Sequence, residues 1–439
     1  MIVGMGKTGY SCARFLAAHN VSFAMIDSRN DPPMLELIRK EFAQVPLYTG
    51  GFDAEVLAGA EKLILSPGVS RFNPAIVAAA ANGVRICGDI ELFCQQASAP
   101  IVAITGSNGK STVTTLVGEM ARAAGLKAGV GGNLGTPALD LLAEGAVDIY
   151  VLELSSFQLE TVASLNAAAA VVLNVSEDHM DRYRSMHDYT EAKARIYAGE
   201  GAMIINLDDP AVVSMQHRGR VTRCFTLREP QGDEYGVRSY SDGRWLVKGH
   251  EQLLPATALR MAGDHNVANA LAALALGDVL KLSRKNMLNV LRTFPGLPHR
   301  CQWTGEINGV RWYNDSKGTN VGASCAAIKG LATNKNLVLI AGGEGKGADF
   351  SALAKIASTC LRAAVLIGRD GPVIKNVLQK VVPVCDAKDM DDAVMKAARL
   401  AERGDVVLLS PACASFDMFE DYRARGEAFT AAVNSLAGQ

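Results

Sequence analysis

No apolar run in this 439-residue chain approaches the roughly 18 to 20 residues of a membrane span, so no membrane segment is expected. Net charge is nearly absent as well. The 44 Lys and Arg residues against 45 Asp and Glu leave a formal −1, and no global field favours nucleic acid or an acidic membrane surface. An anionic ligand must therefore be caught by local groups. The nine cysteines are an odd number and include no C-x-x-C pair, which argues against a disulfide frame and for the reduced thiols of a cytoplasmic protein. The opening residues, Met1-Ile2-Val3-Gly4, lack the basic region and cleavage site of a secretory signal. Short internal repeats and low-complexity tracts are missing too. The remaining composition, 49% hydrophobic and 20% charged, is compact, and the chain is long for one core, so two or three domains are expected.

The most informative stretch is residues 101–115. An apolar strand (101–104) runs into Thr105-Gly106-Ser107-Asn108-Gly109-Lys110-Ser111-Thr112, and a helix follows with Val113, Leu116, Val117, Met120, Ala121 and Ala124 on one face before Gly125. Strand, glycine loop, Lys-Ser and helix make a phosphate cradle. Loop amides and the helix N-terminus face phosphate oxygens, Lys110 neutralises β/γ charge, and the Ser111 hydroxyl can reach Mg2+. The common pattern separates its glycines by four residues; here only Ser107 and Asn108 stand between Gly106 and Gly109. A nucleoside triphosphate is the expected ligand.

A second glycine loop lies at the start. Gly4-Met5-Gly6-Lys7-Thr8-Gly9 precedes an amphipathic helix to about His19 and a strand (22–26) ending on Asp27, the dinucleotide-binding order. Backbone amides do not distinguish NAD from a UDP-sugar, so both stay open. Only three residues precede Gly4: either the first strand is short or residues precede Met1. Residues 62–65 read as a strand, 66–68 as a turn and 74–81 as a helix, and this first α/β unit is expected over residues 1–88. The small, polar residues 96–100 read as a linker. A central unit over 89–295 is expected to hold a parallel sheet (strands near 148–154, 168–175 and 202–207), a small antiparallel insert at about 218–255, and a helix at 266–277. Residues 295–298, with two prolines and a glycine, mark a second linker. A third doubly wound unit is expected over 296–439, with strands at 337–341, 363–367 and 406–409. The fold class is thus α/β in three domains: Rossmann-like, ATPase-like with its insert, and Rossmann-like again.

Several residues stand where chemistry is done. Glu153 ends an apolar strand beside Ser155 and Ser156, and a carboxylate there is costly unless paired or on a metal. The next strand ends at Asn174, followed by Glu177, Asp178 and His179. Parallel strands direct their carboxyl ends to one crevice, which brings His179 near Glu153 as a ligand or phosphate contact. On a helix expected at 188–198, Lys193 shares a face with Tyr189, Ile196 and Tyr197. Either its stem snorkels to solvent, or the amine is desolvated, lowered in pKa and open to modification. In the third unit Asp315 could take a ribose or an ammonium, Lys317 a phosphate, and Arg300 could add a cation to ATP. No Ser or Thr follows Lys346, so it is expected to bind carboxylate. Residues 410–415 are expected to open a helix and capture an anion there.

These motifs resemble the Mur ligases. The short loop at 105–112 matches the family's form. Glu153-Leu-Ser-Ser-Phe-Gln-Leu-Glu160, Asn174-Val-Ser-Glu-Asp-His179, Lys193, Gly263-Asp-His-Asn-Val-Ala-Asn269, His299-Arg300 and Asn314-Asp315-Ser316-Lys317 fall in its order, and the likeness covers essentially the whole chain. Gly4 to Gly9, the run from Gly88 to Phe93, and Ser410-Pro-Ala-Cys-Ala-Ser415 look closest to the D-glutamate-adding branch. The Asp-Asn-Pro-Arg tetrapeptide of the diamino-acid-adding relatives is missing. The resemblance implies a cytoplasmic, monomeric enzyme of peptidoglycan synthesis that adds D-glutamate to UDP-N-acetylmuramoyl-L-alanine through an acyl phosphate, with ATP and two Mg2+ ions. It implies that Lys7, Thr8, Asp27, Ser28 and Arg29 hold the uridine diphosphate, with Ser66, Gly68 and Asn133 along the substrate path. Gly106, Asn108, Gly109, Lys110, Ser111, Thr112, Asn269, Arg300, Asp315 and Lys317 would form the ATP site. Ser111 and Glu153 would take one Mg2+, and His179 with carbamylated Lys193 the other. Thr319, Lys346, Ser415 and the Tyr422 backbone would clamp D-glutamate; the family often has Phe at that last position. Two other functions compete: an NAD-dependent oxidoreductase, which leaves Lys110, Glu153 and Lys193 unused, and a non-catalytic nucleotide switch.

Overall fold

The computed structural model describes residues 1–261 and 263–437. Three sheets follow one another along the chain. The first has five parallel strands, side by side as Leu47–Thr49, Met25–Asp27, Ile2–Val3, Lys62–Leu65 and Arg85–Gly88. The chain winds outward from Ile2–Val3 to both sides, so the loops at Gly4 and Ser66 meet at the carboxyl edge where the winding changes direction. The strand expected at 22–26 shortens to Met25–Asp27.

The second sheet has nine strands. Ile101–Thr105 is flanked by Ile149–Glu153 and Ala169–Val172, all parallel. Every residue of these three strands is buried, as expected for a sheet covered on both faces. Ala128–Gly132 closes one edge. On the other side come Ala202–Asn206 and Thr222–Phe225, then the antiparallel meander Tyr235–Tyr240, Gly243–Lys248 and Glu251–Pro255. The insert is thus no separate sheet: Phe225 registers against Tyr235, and the meander extends the parallel sheet. Its alternate side chains explain the continuity. Phe225, Tyr235, Leu246 and Leu254 pack into the same core as Val113, Val117, Leu271 and Leu274 of the covering helices Lys110–Ala123 and Asp264–Val279.

The opposite face of the central sheet shares a core with the first unit. Ile2, Met5, Ala13 and Leu16 join Phe93, Leu139, Leu152 and Val172 in one apolar cluster, with helix Asp89–Gln96 lying between the two units. The third sheet runs Gln302–Ile307, Val310–Asn314, Val406–Leu409, Leu337–Gly342, Leu361–Ile367, Val384–Asp386. The first pair is antiparallel and the others parallel. Ile328, Leu353 and Ile374 cover one face, Val394 and Phe429 the other. No helix among the described residues is long and apolar enough to cross a membrane, and all nine cysteines are free.

Candidate active site

Strand Ile101–Thr105 delivers the glycine loop to the start of helix Lys110–Ala123. Gly109 turns the chain into that helix at φ +85°, and a Cβ there would stand 2.3 Å from Asn269 Oδ1, so only glycine fits. The loop is pinned by the segment that follows strand Ala169–Val172. Asn108 donates its amide to Asn174 Oδ1 (2.8 Å), and Asn174 Nδ2 donates back to Asn108 O (3.1 Å). The Ser107 hydroxyl donates to Ser176 O and accepts from Ser176 N, both at 2.9 Å. Lys110 folds back on its own loop, donating to Gly106 O (2.9 Å) and Ser107 O (3.0 Å).

Lys193 settles the alternative left open above in favour of burial. Only 1% of the residue is exposed, and its Nζ donates to Gly106 O at 3.0 Å while lying 4.4 Å from the Tyr189 ring centroid. Burial, with the Lys110 charge added, pushes its amine well below the ordinary lysine range. The helix differs from the expected 188–198. It runs Met186–Ala194, capped by Ser185, and tightens into a 3-10 turn at Arg195–Tyr197. The tightening still keeps Lys193 and Tyr189 facing inward, both buried.

Glu153 is 3% exposed. One carboxylate oxygen accepts from Asn133 Nδ2 at 2.6 Å, and the other has no hydrogen-bond partner among the described residues. His179 sits at φ +58°, with Nε2 3.7 Å from Asp178 Oδ2 and its ring edge-on to Phe157 at 4.8 Å. Burial lowers its pKa against the opposing pull of Asp178, so the imidazole is neutral near pH 7.

The third unit reaches into the same space. Arg300 Nη2 donates to Ser111 Oγ at 3.0 Å. Asn320 caps helix Val321–Leu331 and donates to Asn108 Oδ1 (3.3 Å) and Asp178 Oδ2 (3.2 Å). Lys317 Nζ lies 3.9 Å from the Tyr422 ring centroid, and burial followed by the Arg300 charge lowers its pKa to about 8.

One cavity of about 320 Å³ gathers these groups. Ser107, Asn108, Lys110, Ser111, Asn133, Glu153, His179 and Lys193 line its central side, and Arg300, Lys317, Thr319, Lys346, Ser415 and Tyr422 its far side. A neighbouring space of about 110 Å³ is bounded by Asn108, Gly109, Thr112, Asn269, Arg300, Asp315 and Lys317. Gly106 contributes the carbonyl that receives both lysines.

The first unit's residues stand apart. Lys7, Thr8, Asp27, Ser28, Arg29, Ser66 and Gly68 line neither space and cluster around the carboxyl edge of the first sheet. Asp27 is fully employed. It accepts from Met5 N (2.7 Å) and Arg29 N (2.9 Å) and pairs with the Arg29 guanidinium at 2.9 and 2.7 Å. Burial would raise its pKa, but Arg29 and those amides hold it below the usual carboxylate range.

One expectation needs correction. Residues 410–415 do not open a helix: the next helix starts at Tyr422. Ala412 at φ +59° and the Met418 and Phe419 amides bonding back to Ser415 O make a compact loop instead. Ser410 therefore serves the interior, donating to Asp315 Oδ2 at 2.7 Å, while Cys301 N donates to Asp315 Oδ1 at 3.1 Å. Burial raises Asp315 to about 6. The Tyr422 carbonyl is likewise taken, by the Ser316 hydroxyl at 2.7 Å.

Sequence reasoning missed Arg425. It is 1% exposed and ties two site loops together. Its guanidinium donates to Ser316 Oγ and O at 3.0 and 2.7 Å, and to Cys413 O and Ala414 O at 3.1 and 3.2 Å. The signal was available: Arg425 shares a helix face with Phe429, Ala432 and Val433, the same cation on an apolar stripe that marked Lys193.

Residues 1–88 match the model of the Mur ligase MurD-like N-terminal domain, 104–277 the Mur ligase middle domain, and 299–413 the Mur ligase glutamate ligase domain. A protein of Nitrosococcus oceani named UDP-N-acetylmuramoylalanine--D-glutamate ligase is 55% identical over 436 residues, covering 99% of this chain and 96% of its own. The Pseudomonas aeruginosa protein of the same name is 51% identical over 439 residues, covering 100% and 98%. Among solved structures, the Thermotoga maritima UDP-N-acetylmuramate-alanine ligase MurC superposes with TM-score 0.61 at 19% identity, covering 99% of this chain and 98% of that one. E. coli FolC in complex with ADP gives 0.59 at 18% identity, covering 79% and 93%; both show a shared fold. With three family models matched in order and full-length relatives above half identity, the chain belongs to the Mur ligase family.

Proposed function

We propose that this enzyme joins D-glutamate to UDP-N-acetylmuramoyl-L-alanine with conversion of ATP to ADP and phosphate, the D-glutamate-adding step of cytoplasmic peptidoglycan synthesis. The observation that carries this reading is the single cavity in which Lys110, Glu153 and Lys193 of the central unit face Lys317, Thr319, Lys346 and Ser415 of the third. The name shared by the full-length relatives at 51–55% identity supports the choice of amino acid.

A carboxylate is a poor acyl donor, so the alanyl carboxylate must first take the γ-phosphoryl group, and bringing two anions together needs cations. Lys110 and the loop amides hold the triphosphate. Arg300 and Lys317 add charge from the third unit, with Asn269 and Asp315 beside the nucleoside. The D-glutamate amine then attacks the acyl phosphate, phosphate leaves and the amide remains. Thr319, Lys346 and Ser415 hold the two carboxylates of D-glutamate. At Tyr422 only the main-chain N–H is left for that role, since its carbonyl is committed to Ser316. Lys7, Thr8, Ser28 and Arg29 receive the uridine diphosphate with Asp27 bracing Arg29, and Ser66, Gly68 and Asn133 line the path to the cavity. Residues 1–88, 89–295 and 296–439 act as three domains of a monomer.

The residues fit Mg2+. Glu153 offers a buried carboxylate oxygen with no hydrogen-bond partner among the described residues, Ser111 lines the same cavity, and Mg2+ commonly takes one or two carboxylates plus phosphate oxygens. A second ion would use neutral His179 and Lys193 in carbamylated form. The lowered pKa of Lys193 favours the neutral amine, the form that adds CO2 and releases a proton, and the carbamate would supply the oxygen that hard Mg2+ requires. Bound Mg2+ supplies neutralisation of the converging oxygen anions.

The test is phosphate release from ATP and Mg2+ with UDP-N-acetylmuramoyl-L-alanine and each candidate amino acid in turn. Stimulation by D-glutamate is expected. Stimulation by L-lysine or diaminopimelate and not by D-glutamate would overturn the assignment.

A further inference from the structure

Arg182 joins the first unit to the reaction cavity through contacts that none of the roles above uses. Its Nη1 donates to Pro67 O (2.5 Å) and its Nη2 to Val69 O (3.3 Å), the carbonyls on either side of Gly68. The turn is closed on itself by Val69 N donating to Ser66 O at 2.9 Å. The same Nη2 pairs with Glu160 at 3.0 Å, and the other Glu160 oxygen accepts from the Tyr183 hydroxyl at 2.6 Å. Both partners of this pair are largely removed from water, at 11% and 6% side-chain exposure. The guanidinium carbon lies 3.9 Å from the Phe157 ring centroid, and Phe157 meets the His179 ring edge-on. Arg71 of the first unit reinforces the joint by donating to the Glu160 carbonyl at 2.9 Å.

We propose that Arg182 is a positioning residue: it fixes the turn at residues 66–69 in register with His179, so that one long substrate is held correctly at both ends. This rests on the function proposed above. The uridine diphosphate belongs to the carboxyl edge of the first sheet, whereas the reacting carboxylate must enter the central cavity. Their separation is set by how the two units are clamped, and a misplacement of about 1 Å at a reacting group costs about 100-fold in rate. Only a planar fork spans two carbonyls, a carboxylate and a ring face together; a lysine ammonium reaches a subset of them.

Arg182→Ala and Arg182→Lys test this, with Michaelis constants for all three substrates, calorimetric binding of UDP-N-acetylmuramoyl-L-alanine and thermal unfolding. Arg182→Ala is expected to raise KM and Kd for the UDP substrate at least tenfold and to lower kcat, while KM for ATP and for D-glutamate stays within twofold. Arg182→Lys should unfold near the parent temperature and still show raised UDP-substrate constants; if the alanine variant does not fold, the lysine variant decides. Unchanged UDP-substrate constants overturn the proposal. So does a rise in all three KM values that follows the loss of thermal stability, the pattern of a merely structural contact. The unsubstituted protein separates the two levels: binding of the UDP substrate without D-glutamate-dependent turnover sinks the functional assignment but leaves the calorimetric comparison to judge Arg182.

Discussion

Replacing Lys193 by methionine keeps an unbranched chain of similar length and deletes the amine, and stability and activity should respond in different ways. Among the described residues the amine's one hydrogen bond runs to Gly106 O, which also accepts from Lys110, so its loss orphans no carbonyl. That lost bond costs about 1 kcal/mol. Against it stands the burial of an ionisable group. Lys193 has its pKa lowered in the folded state by burial first and by Lys110 next, so between the folded value and the ordinary ~10.4 the unfolded chain binds the extra proton. Stability is therefore greatest above the unfolded value and is lost as pH falls towards the folded one. Methionine removes that loss. The two effects oppose, so against the unmodified parent Lys193→Met should lose no more than about 1 kcal/mol at neutral pH, with a flatter fall in stability as alkaline solutions are brought to neutrality.

Activity has no such compensation. If the modified side chain holds charge where phosphoryl transfer occurs, its deletion should lower D-glutamate-dependent phosphate release by about 10³-fold or more, about 4 kcal/mol in the barrier. Short carboxylates should restore part of it, and depleting CO2 from the parent should produce a slow loss that bicarbonate reverses. Urea unfolding and initial rates on one preparation decide the matter. A variant active within tenfold of the parent would make Lys193 a structural lysine. Activity lost together with several kcal/mol of stability would assign the effect to packing.

Lys110→Ala should lose about 10²- to 10³-fold in turnover, the usual result of deleting a preorganised charge contact; near-normal turnover would refute its place at the phosphates. Gly109→Ala must hold φ +85° with a Cβ 2.3 Å from Asn269 Oδ1, so a loss of about 1–3 kcal/mol in denaturant unfolding and a raised KM for ATP are expected; unchanged values of both would count against the loop geometry. Asp89, the buried first residue of helix Asp89–Gln96, accepts from Gln158 at 3.0 Å, and its other oxygen has no partner among the described residues. Burial raises it to about 6. A folded pKa above the unfolded value means stability present near pH 4 and lost as pH rises through 6, about 3 kcal/mol at 1.36 per unit. Asp89→Asn should therefore be the more stable protein at pH 7.5 and equal to the parent at pH 4; a difference independent of pH would refute the burial argument.

Much of the fold was legible because local signals agreed. The strand at 62–65 and the helix at 74–81 appear with those bounds, since an apolar run stops at Ser-Pro-Gly in one case and Asn73-Pro74 caps the other. What escaped lacked a periodic signal. Leu47–Thr49 has three residues, and its pairing comes from the neighbouring strand Met25–Asp27 rather than propensity. The meander was recognised as antiparallel, but its union with the parallel sheet depends on one cross-strand pair, Phe225 and Tyr235, which no local pattern encodes.

The site divides in the same way. Residues within one motif were legible: Lys110 and Ser111 on a glycine loop, Glu153 at a strand end, Lys193 on an apolar helix face. Asn174 locking the loop, Ser410 on Asp315 and Arg425 on two loops depend on segments far apart in sequence. Electrostatic balance was least visible of all. A chain of net charge −1 places Lys110, Arg300, Lys317 and Lys346 around one cavity, with Glu153 and Asp178 opposing them. These cations come from both sides of residues 295–298 and disfavour one another: Arg300 contributes to the lowered pKa of both Lys110 and Lys317, after burial in each case. The fold tolerates the crowding because three of these cations are held by neutral dipoles or rings: Gly106 O and Ser107 O for Lys110, the Ser111 hydroxyl for Arg300, the Tyr422 face for Lys317. Such contacts fix the charges without cancelling them. The uncancelled field, shared between two units, is what lets two anionic reactants meet, and it arises from placement that no single motif displays.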